Sequence, residues 1–383
     1  MSELEQVEWR SDADPADLRE YDAFGPWIDP ILSEADMPRA FRSHYAEHAG
    51  ARFLLKVPRE EDRADLRPGM DLFAAVVAVH NEAVCVLRLD GATVRQQVAT
   101  WRQIVATAYR AELLDARWSL LLDDGTGIHL DHNSASASGL RPSMEYVEAC
   151  ISASSPPGWR THIAAVGVTD GFFASSLNRL SRQLPPPVVP IHTERGGRLC
   201  LDERGRPRLG NGVLVLDAPS ELVIISHGEP MRSRFFPSHG SLVTRVPYER
   251  LASFAVSPPP RRRGPSFHIL TLRSGNQVIT QWFLDRPDAV VAALRARGVP
   301  QVDASTPAID GGNSDLRYAT GTQRSDDGVR AVVEPLRDHL VAGPQREDVE
   351  GRPAAARRRR HGERVEPLVG HPGDERAVAG KEP

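Results

Sequence analysis

Three segments decide the predicted fold: VPYERLASF at 246–254, LTLRSGNQV at 270–278 and FLDRPDAVVAALRARG at 283–298. They are typical of a turn, a strand hairpin around Ser274-Gly275-Asn276 and a helix. A similar series occurs earlier, as WRQI at 101–104, LLLDDG at 120–125 and RP at 141–142 before a helical pattern. Matching segments lie about 150 residues apart in the same order, so the chain is predicted to contain an internal structural duplication.

Short β-rich runs surround each series. In the first unit they lie at 53–57, 74–79, 83–89, 93–100, 104–109, 118–122 and 128–130. In the second they lie at 199–201, 213–216, 222–226, 242–248, 251–256, 267–272 and 278–283. About seven short strands followed by one helix, twice over, predict a mostly β, α+β fold. It consists of two small antiparallel β-barrel or sandwich units, each closed by a C-terminal helix.

The two closing helices have different sequence signals. Pro142 is predicted to open the first, which runs to Cys150, because proline suits a first helical turn. The second covers 287–297, where Val290 and Leu294 belong to one apolar face. Gly298 follows it at the position where helices often end.

The remaining segments flank or connect these units. Residues 1–50 are predicted to form an aromatic arm that packs on the first unit, which covers 51–151. Residues 152–197 form a connector with a short amphipathic helix behind Asp170, and 198–298 form the second unit. Residues 299–383 have the composition of a disordered tail.

The order of elements, with the VPYERLASF turn, the LTLRSGNQV hairpin and the FLDRPDAVVAALRARG helix, resembles tandem bacterial pleckstrin-homology-like (PH-like) domains. The resemblance covers about 200 residues. It implies a binding module for proteins, peptides or lipid headgroups, and it carries no catalytic residues to this sequence. Asp217, Glu221 and Glu229 make the expected lipid-binding loop acidic, which argues against phosphoinositide binding.

The composition excludes several functional classes. The formal net charge of −4 provides no basic field for nucleic acid. Cys85, Cys150 and Cys200 lie too far apart for a disulfide scaffold or a multi-cysteine zinc site. Walker, G-x-S-x-G and G-x-G-x-x-G motifs are missing from the sequence. Without a long apolar run or an apolar N-terminal region, we expect a soluble cytoplasmic protein.

Histidines supply the candidate metal ligands. On a strand, His129 and Asp131 would share one face, while His132 would point to the other. Two ligands on one face bind zinc only with help from elsewhere in the chain. His44 and His48 have helical i, i+4 spacing, but without a third ligand nearby they are interpreted as two exposed side chains.

A basic cluster supplies the candidate anion contact. Arg261, Arg262 and Arg263 lie between prolines in a predicted loop, where such charges contact phosphates or an anionic membrane. The simpler interpretation of this cluster is a solvated loop.

Together these patterns predict a non-enzymatic binding module, a cytoplasmic scaffold or adaptor for a protein or peptide partner, without a cofactor. Two alternatives stay open. One is a metal-assisted hydrolase that uses His129 and Asp131. The other is a peripheral membrane module that contacts lipid through Arg261, Arg262 and Arg263.

Overall fold

A computed structural model describes residues 13–59, 61, 65–91, 93–152, 165–196, 199–201, 207–209, 212–227, 240–257 and 267–304. Its helices are α1 (Pro15–Ala23), α2 (Tyr45–His48), α3 (Ala137–Ser152), α4 (Gly171–Gln183) and α5 (Asp288–Ala296). Short 3₁₀ helices occur at Glu34–Asp36, Arg39–His44, Ser134–Ser136 and Tyr248–Arg250.

Strands make up most of the regular structure. Before α3 they are β1 (Asp29–Pro30), β2 (Phe53–Pro58), β3 (Phe73–Val79), β4 (Ala83–Asp90), β5 (Thr93–Thr100), β6 (Ile104–Glu112), β7 (Asp115–Leu122) and β8 (Gly127–Asn133). After α4 they are β9 (Val189–Glu194), β10 (Leu199–Leu201), β11 (Pro207–Leu209), β12 (Gly212–Asp217), β13 (Glu221–His227), β14 (Ser241–Pro247), β15 (Ser253–Ser257), β16 (His268–Ser274) and β17 (Gln277–Phe283).

One order of elements occurs twice. In the first half, β2 to β5 are hydrogen-bonded neighbours, β6 to β8 follow as three neighbours, and α3 comes last. In the second half, β9, β12, β13 and β14 form the four, β15 to β17 the three, and α5 comes last. The hairpin β10–β11 lies between the first two strands of the second half. The mostly β, α+β prediction is therefore confirmed, and four strands, three strands and a helix recur.

The described strands form open antiparallel sheets. A five-stranded sheet has the order β1-β2-β3-β4-β5, and a three-stranded sheet has the order β15-β16-β17. A seven-stranded sheet has the order β8-β7-β6-β14-β13-β12-β9. None of the sheets in the described residues closes on itself, so antiparallel sheets are shown and a barrel is not.

The seven-stranded sheet joins the two halves. Strand β14 of the second half pairs antiparallel with β6 of the first, from Ser241 opposite Ala111 to Arg245 opposite Thr107. The hairpin turn at Gly275 also contacts the first half. There φ is +57°, and a Cβ would lie 2.5 Å from the main-chain oxygen of Asp123. Glycine is required on both grounds, and this turn holds the halves in close contact.

The core of the first half lies between two sheets. The inward side chains of β2, β3 and β4 pack against β7 and β8, with Trp118 fully buried. Helix α3 adds Leu140, Val147 and Ile151 to the same cluster. This helix therefore closes the first half as predicted, but it begins at Ala137, and Pro142 lies inside it. The proline signal placed the start of this helix too late, because a 3₁₀ helix at Ser134–Ser136 leads directly into the first helical turn, before Pro142.

The core of the second half includes residues of the first. Val105, Ala106 and Leu121 belong to the cluster that Phe254 and Leu294 share. On α5, Val290, Ala293 and Leu294 are buried while Arg295 is exposed, so the predicted apolar face is confirmed. The halves share buried apolar surface as well as a sheet.

Different elements cover the outer faces of the two four-strand groups. In the first half, Ile31, Met37 and Phe41 of the arm pack on Leu54 and Leu87 of the sheet. In the second half, Phe173, Leu180 and Leu184 pack on β12 and β13. Asp170 caps α4 by accepting hydrogen bonds from the main-chain N–H groups of Phe172 and Phe173. The arm therefore packs on the first half as predicted, and the predicted amphipathic helix of the connector covers the sheet of the second half.

The ordered structure extends past the predicted boundary at residue 299. Val299 is buried, Phe254 N–H donates to the oxygen of Pro300, and Val302 N–H donates to the oxygen of Phe254. The predicted start of the tail at residue 299 is therefore too early in the chain, because residues 299–302 form an extended segment that pairs with β15. The rest of the predicted tail, from residue 305, lies outside the described residues.

Candidate functional site

A cleft with a volume of about 450 Å³ lies in the first half. It is lined from β2 and the residues after it, from the start of β3, the end of β4 and the middle of β8. The lining residues are Val57, Pro58, Arg59, Glu61, Ala74, Ala75, Arg88, Leu89, Leu130 and Asp131. Small alanine side chains leave room beside charged groups, so the cleft suits a polar ligand.

Arg88 is the distinctive group of this cleft. One of its guanidinium nitrogens donates to the main-chain oxygen of His129, and its Nε is buried without a hydrogen-bond partner in the described residues. Burial lowers the pKa of Arg88, and the negative charge of Asp131 opposes that shift. No described carboxylate forms an ion pair with this partly buried cation, although the charge of Asp131 is near enough to stabilise it. Arg88 can therefore bind an anionic group.

The other charged groups around the cleft have partners. Arg59 binds Glu61, with 3.1 Å between Nη1 and Oε1, although its Nε is also buried without a described partner. Asp131 accepts two hydrogen bonds from Arg117, one of 3.0 Å from Nη2. Each acid is balanced by its own arginine, so the charge left available in the lining is that of Arg88.

The strand β8 confirms how the predicted metal ligands are oriented. His129 and Asp131 lie on its more exposed face, and His132 is buried on the other. Nδ1 of His129 lies 2.9 Å from Oγ of Ser119, while Asp131 binds Arg117. A metal at Asp131 would have to displace this arginine. No group of three ligating side chains suited to a metal occurs in the described ranges.

The interpretation of His48 as exposed is wrong. The side chain is buried, and its Nδ1 lies 3.1 Å from Nε2 of His80. Its Nε2 lies 3.7 Å from the sulfur of Cys85. Burial and His80 lower the pKa of His48, and burial raises the pKa of the Cys85 thiol. Both nitrogens of His48 face neighbours and the thiol is not activated, so the cluster is structural. The spacing rule failed because β3 and β4 bring His80 and Cys85 to this helix.

A buried ion cluster lies where the halves meet. Arg245 of β14 binds Glu148 of α3 and Glu221 of β13, with 2.9 Å between its Nε and Oε2 of Glu221. Burial raises the pKa of Glu148 to about 7, since Arg245 only partly offsets the cost of desolvation and the repulsion from Glu221. Burial lowers the pKa of Arg245, but the two carboxylates together raise it by more, so the guanidinium stays charged. This cluster connects elements of both halves and does not line the cleft.

A second buried cluster is confined to the second half. Tyr248 donates a 2.7 Å hydrogen bond to Asp217, which also pairs with Arg297 at 2.9 Å. Burial, with the neighbouring Asp217, raises the pKa of Tyr248 well above its ordinary value. The tyrosine stays protonated and donates, and the cluster ties α5 to β12.

The basic cluster of Arg261, Arg262 and Arg263 lies outside the described residues. The structure therefore does not bear on the predicted lipid contact. Within the described part of the chain, no helix combines the length and the apolar character needed to span a membrane.

Sequence reasoning missed Arg88 although a signal was present. The run AVCVLRLD at 83–90 places one arginine in an otherwise apolar strand. Such an arginine is often an outward-facing solvated charge. Its proximity to Asp131 depends on the packing of β4 near β8, which no local pattern records.

Comparison with known proteins adds no assignment. No protein-family model matches this chain, and no curated protein shows significant similarity to it.

Proposed function

We propose that this protein is a non-enzymatic binding module whose first-half cleft binds a carboxylate of a protein or peptide partner. The observation that carries the proposal is Arg88, a cleft-lining guanidinium without a described ion pair and with a buried, unpartnered Nε. A carboxylate accepts two parallel hydrogen bonds from a guanidinium, and Arg88 has donor groups that none of the described residues occupies.

The overall architecture supports the same class of function. The recurrence of four strands, three strands and a helix is in keeping with the proposed relation to tandem PH-like domains, in which each half would be a small barrel closed by its helix. An experimental structure in which β2 to α3 fails to superpose on β9 to α5 would contradict that relation.

The carboxylate proposal is tested with matched peptides. An array of short glutamate-containing peptides, each beside its glutamine analogue, identifies acidic sequences that bind, and calorimetry measures their affinity. We expect Arg88→Met to weaken binding at least about tenfold, since a charge-assisted hydrogen bond is lost. Arg88→Lys keeps the charge and part of the affinity. Arg141→Met removes an exposed arginine from α3 and serves as the control.

Four results would contradict the proposal. Acidic and glutamine peptides could bind alike, or Arg88→Met could bind as the wild type does. Binding of inorganic phosphate but of no acidic peptide would favour the lipid-headgroup alternative. One zinc per purified chain, lost on His129→Ala, would favour the hydrolase. A cytoplasmic location stays a prediction.

A further inference from the structure

The outer edge of β5 is free in the part of the chain that the structure describes. β5 is the last strand of the five-stranded sheet and pairs only with β4 among the described strands. Nearly every residue from Thr93 to Thr100 is partly or fully exposed, and 52% of the surface of Val98 is accessible. The strand contains no proline and no lysine, and its pairing with β4 has no bulge. Three features that block association at a sheet edge are therefore missing, and Arg95, which forms an ion pair with Asp90, is the one charged residue of the strand.

The second half shows what such an edge can bind. β14 holds the same fourth position in its half as β5 does in the first. Its outer edge pairs antiparallel with β6 over Ser241 to Arg245. A strand in this position is thus able to extend its sheet with another strand.

The hydrogen bonds of β5 show which residues face outward. The N–H of Thr100 donates to the side-chain oxygen of Gln103, 2.9 Å away, and so points away from β4. Backbone groups alternate in direction along an antiparallel strand. Val94, Gln96 and Val98 therefore also direct their N–H and C=O groups outward. The N–H of Thr100 already donates to Gln103, so the backbone groups of Val94, Gln96 and Val98 are the ones left to pair with another strand.

We propose that two copies of this chain associate antiparallel through the outer edges of their β5 strands. A two-fold axis perpendicular to a sheet keeps each side chain on its own face, so one residue of β5 must lie opposite the same residue of the second copy. Gln96 is the middle of the available edge. Pairing it with Gln96 of the second copy places Val94 opposite Val98 of that copy.

This register is self-complementary in its side chains. Val-Gln-Val at 94, 96 and 98 reads the same in both directions along one face. The exposed Val98 is then covered by Val94, a pair of β-branched residues of the kind that stabilises neighbouring strands. On the other face, Arg95 lies opposite Gln97, so like charges are not directly opposed. Each Arg95 keeps its own ion pair with Asp90, at 2.5 Å.

The test compares the wild type with Val98→Pro by sedimentation velocity, from about 1 µM to about 100 µM. Proline removes an outward N–H, which an edge strand tolerates when that group faces solvent. We expect a wild-type dimer and an at least about tenfold larger dissociation constant for the variant, because both copies lose a hydrogen bond. Val98→Thr keeps the N–H and the branched shape and should remain a dimer. Circular dichroism confirms that each variant is folded.

The register has its own test. In the dimer, Gln96→Cys places two thiols opposite each other, so mild oxidation should crosslink it more than the wild type, which carries only the native cysteines. Arg95→Cys lies opposite Gln97 and should crosslink less. A monomeric wild type overturns the proposal and leaves the edge for a strand of another protein. A dimer that Val98→Pro does not weaken also overturns it, because the contact then lies elsewhere.

Discussion

The two halves share one order of strands, yet their corresponding parts have different neighbours. β14 is paired on both sides, by β13 and by β6, whereas β5 is paired only by β4 in the described residues. The outer face of one four-strand group is covered by a proline-rich arm, and that of the other by the capped helix α4. The first half contains the cleft lined by Arg88, whereas the second half contains the buried ion pair of Arg297 with Asp217.

A repeated topology therefore does not determine repeated contacts. What surrounds each half comes from outside the repeat: the arm, the connector and the other half. Polar groups follow the same division. Arg117 and Asp131 remain half exposed at the cleft, while Arg245 is buried because the other half covers it. The predictions below test how much each contact contributes.

The largest effect is expected at Arg245, which connects the halves. Arg245→Ala leaves Glu148 and Glu221 buried without their cation, which should cost about 3–5 kcal/mol of unfolding free energy. Arg117→Ala breaks the half-exposed pair with Asp131 and should cost less than about 1 kcal/mol. Urea denaturation at pH 7.5 measures both. Equal costs would mean that the joint between the halves is no more sensitive than an exposed pair.

A slightly smaller effect is expected at Leu294, which lies in the closing helix of the second half. The side chain is fully buried, so Leu294→Ala should leave a cavity and cost about 2–4 kcal/mol. Arg295→Ala is the neighbouring control. Its exposed side chain contacts Gln301, and its loss should cost less than about 1 kcal/mol. If the arginine variant proved as unstable as the leucine variant, the helix would not be oriented as described.

Glu148 should make stability depend on pH. Its pKa rises from an ordinary value of 4.5 to about 7 on folding, so the folded chain holds the proton more tightly. The contribution of this group is complete below pH 4.5 and is lost as the pH rises through 7. Between about pH 5 and 8, this group should lower the unfolding free energy of the wild type by an amount on the order of 1–3 kcal/mol. We expect Glu148→Gln to lack this decrease.

Denaturation at several pH values gives the slope for each variant. Glu82→Gln, at an exposed position between β3 and β4 and away from this cluster, should keep the wild-type slope. A wild-type slope in Glu148→Gln would show that another group causes the pH dependence.

The smallest effect is expected from the caps of the two covering segments. Asp170→Ala removes two hydrogen bonds at the start of α4 and should cost about 1 kcal/mol. Asp14→Ala removes the matching bond to Ala16 N–H in the arm and should cost less, because α1 buries only Tyr21. Thermal unfolding of the two variants compares them. A larger loss from Asp14→Ala would show that the arm contributes more to stability than α4 does.

Much of the fold could be predicted because it depends on neighbouring residues. The glycine of the predicted hairpin turn, Gly275, has a positive φ, as do Gly91 and Gly125 in the turns that follow β4 and β7. Alternating apolar residues located most strands, and helical spacing located α5 with its buried face. The strand β9 was missed because Pro190 interrupts its pattern. It lies at the edge of the sheet, where proline removes no needed hydrogen bond, and the pairing with β12 shifts beside it.

The candidate site was predicted only in part. Alternation along β8 correctly separated His129 and Asp131 from His132, since that rule needs only the strand. Arg88 was missed because its environment comes from two strands separated by a large part of the first half. The burial of His48 was missed for the same reason, since its partners come from β3 and β4.

Because periodicity and turn chemistry act over a few residues, the sequence alone located most of the strands, the hairpin turn at Gly275, the closing helix of the second half and the repeated order of elements. Only the tertiary structure decided that β6 pairs with β14, that the halves share a core, and that Arg88 faces a cleft. It also brought together Arg245 and Glu148, which are 97 residues apart. Such contacts depend on which surfaces pack together after local structure has formed. Whether a charged side chain is buried or solvated depends on that packing, so the local sequence does not reveal it.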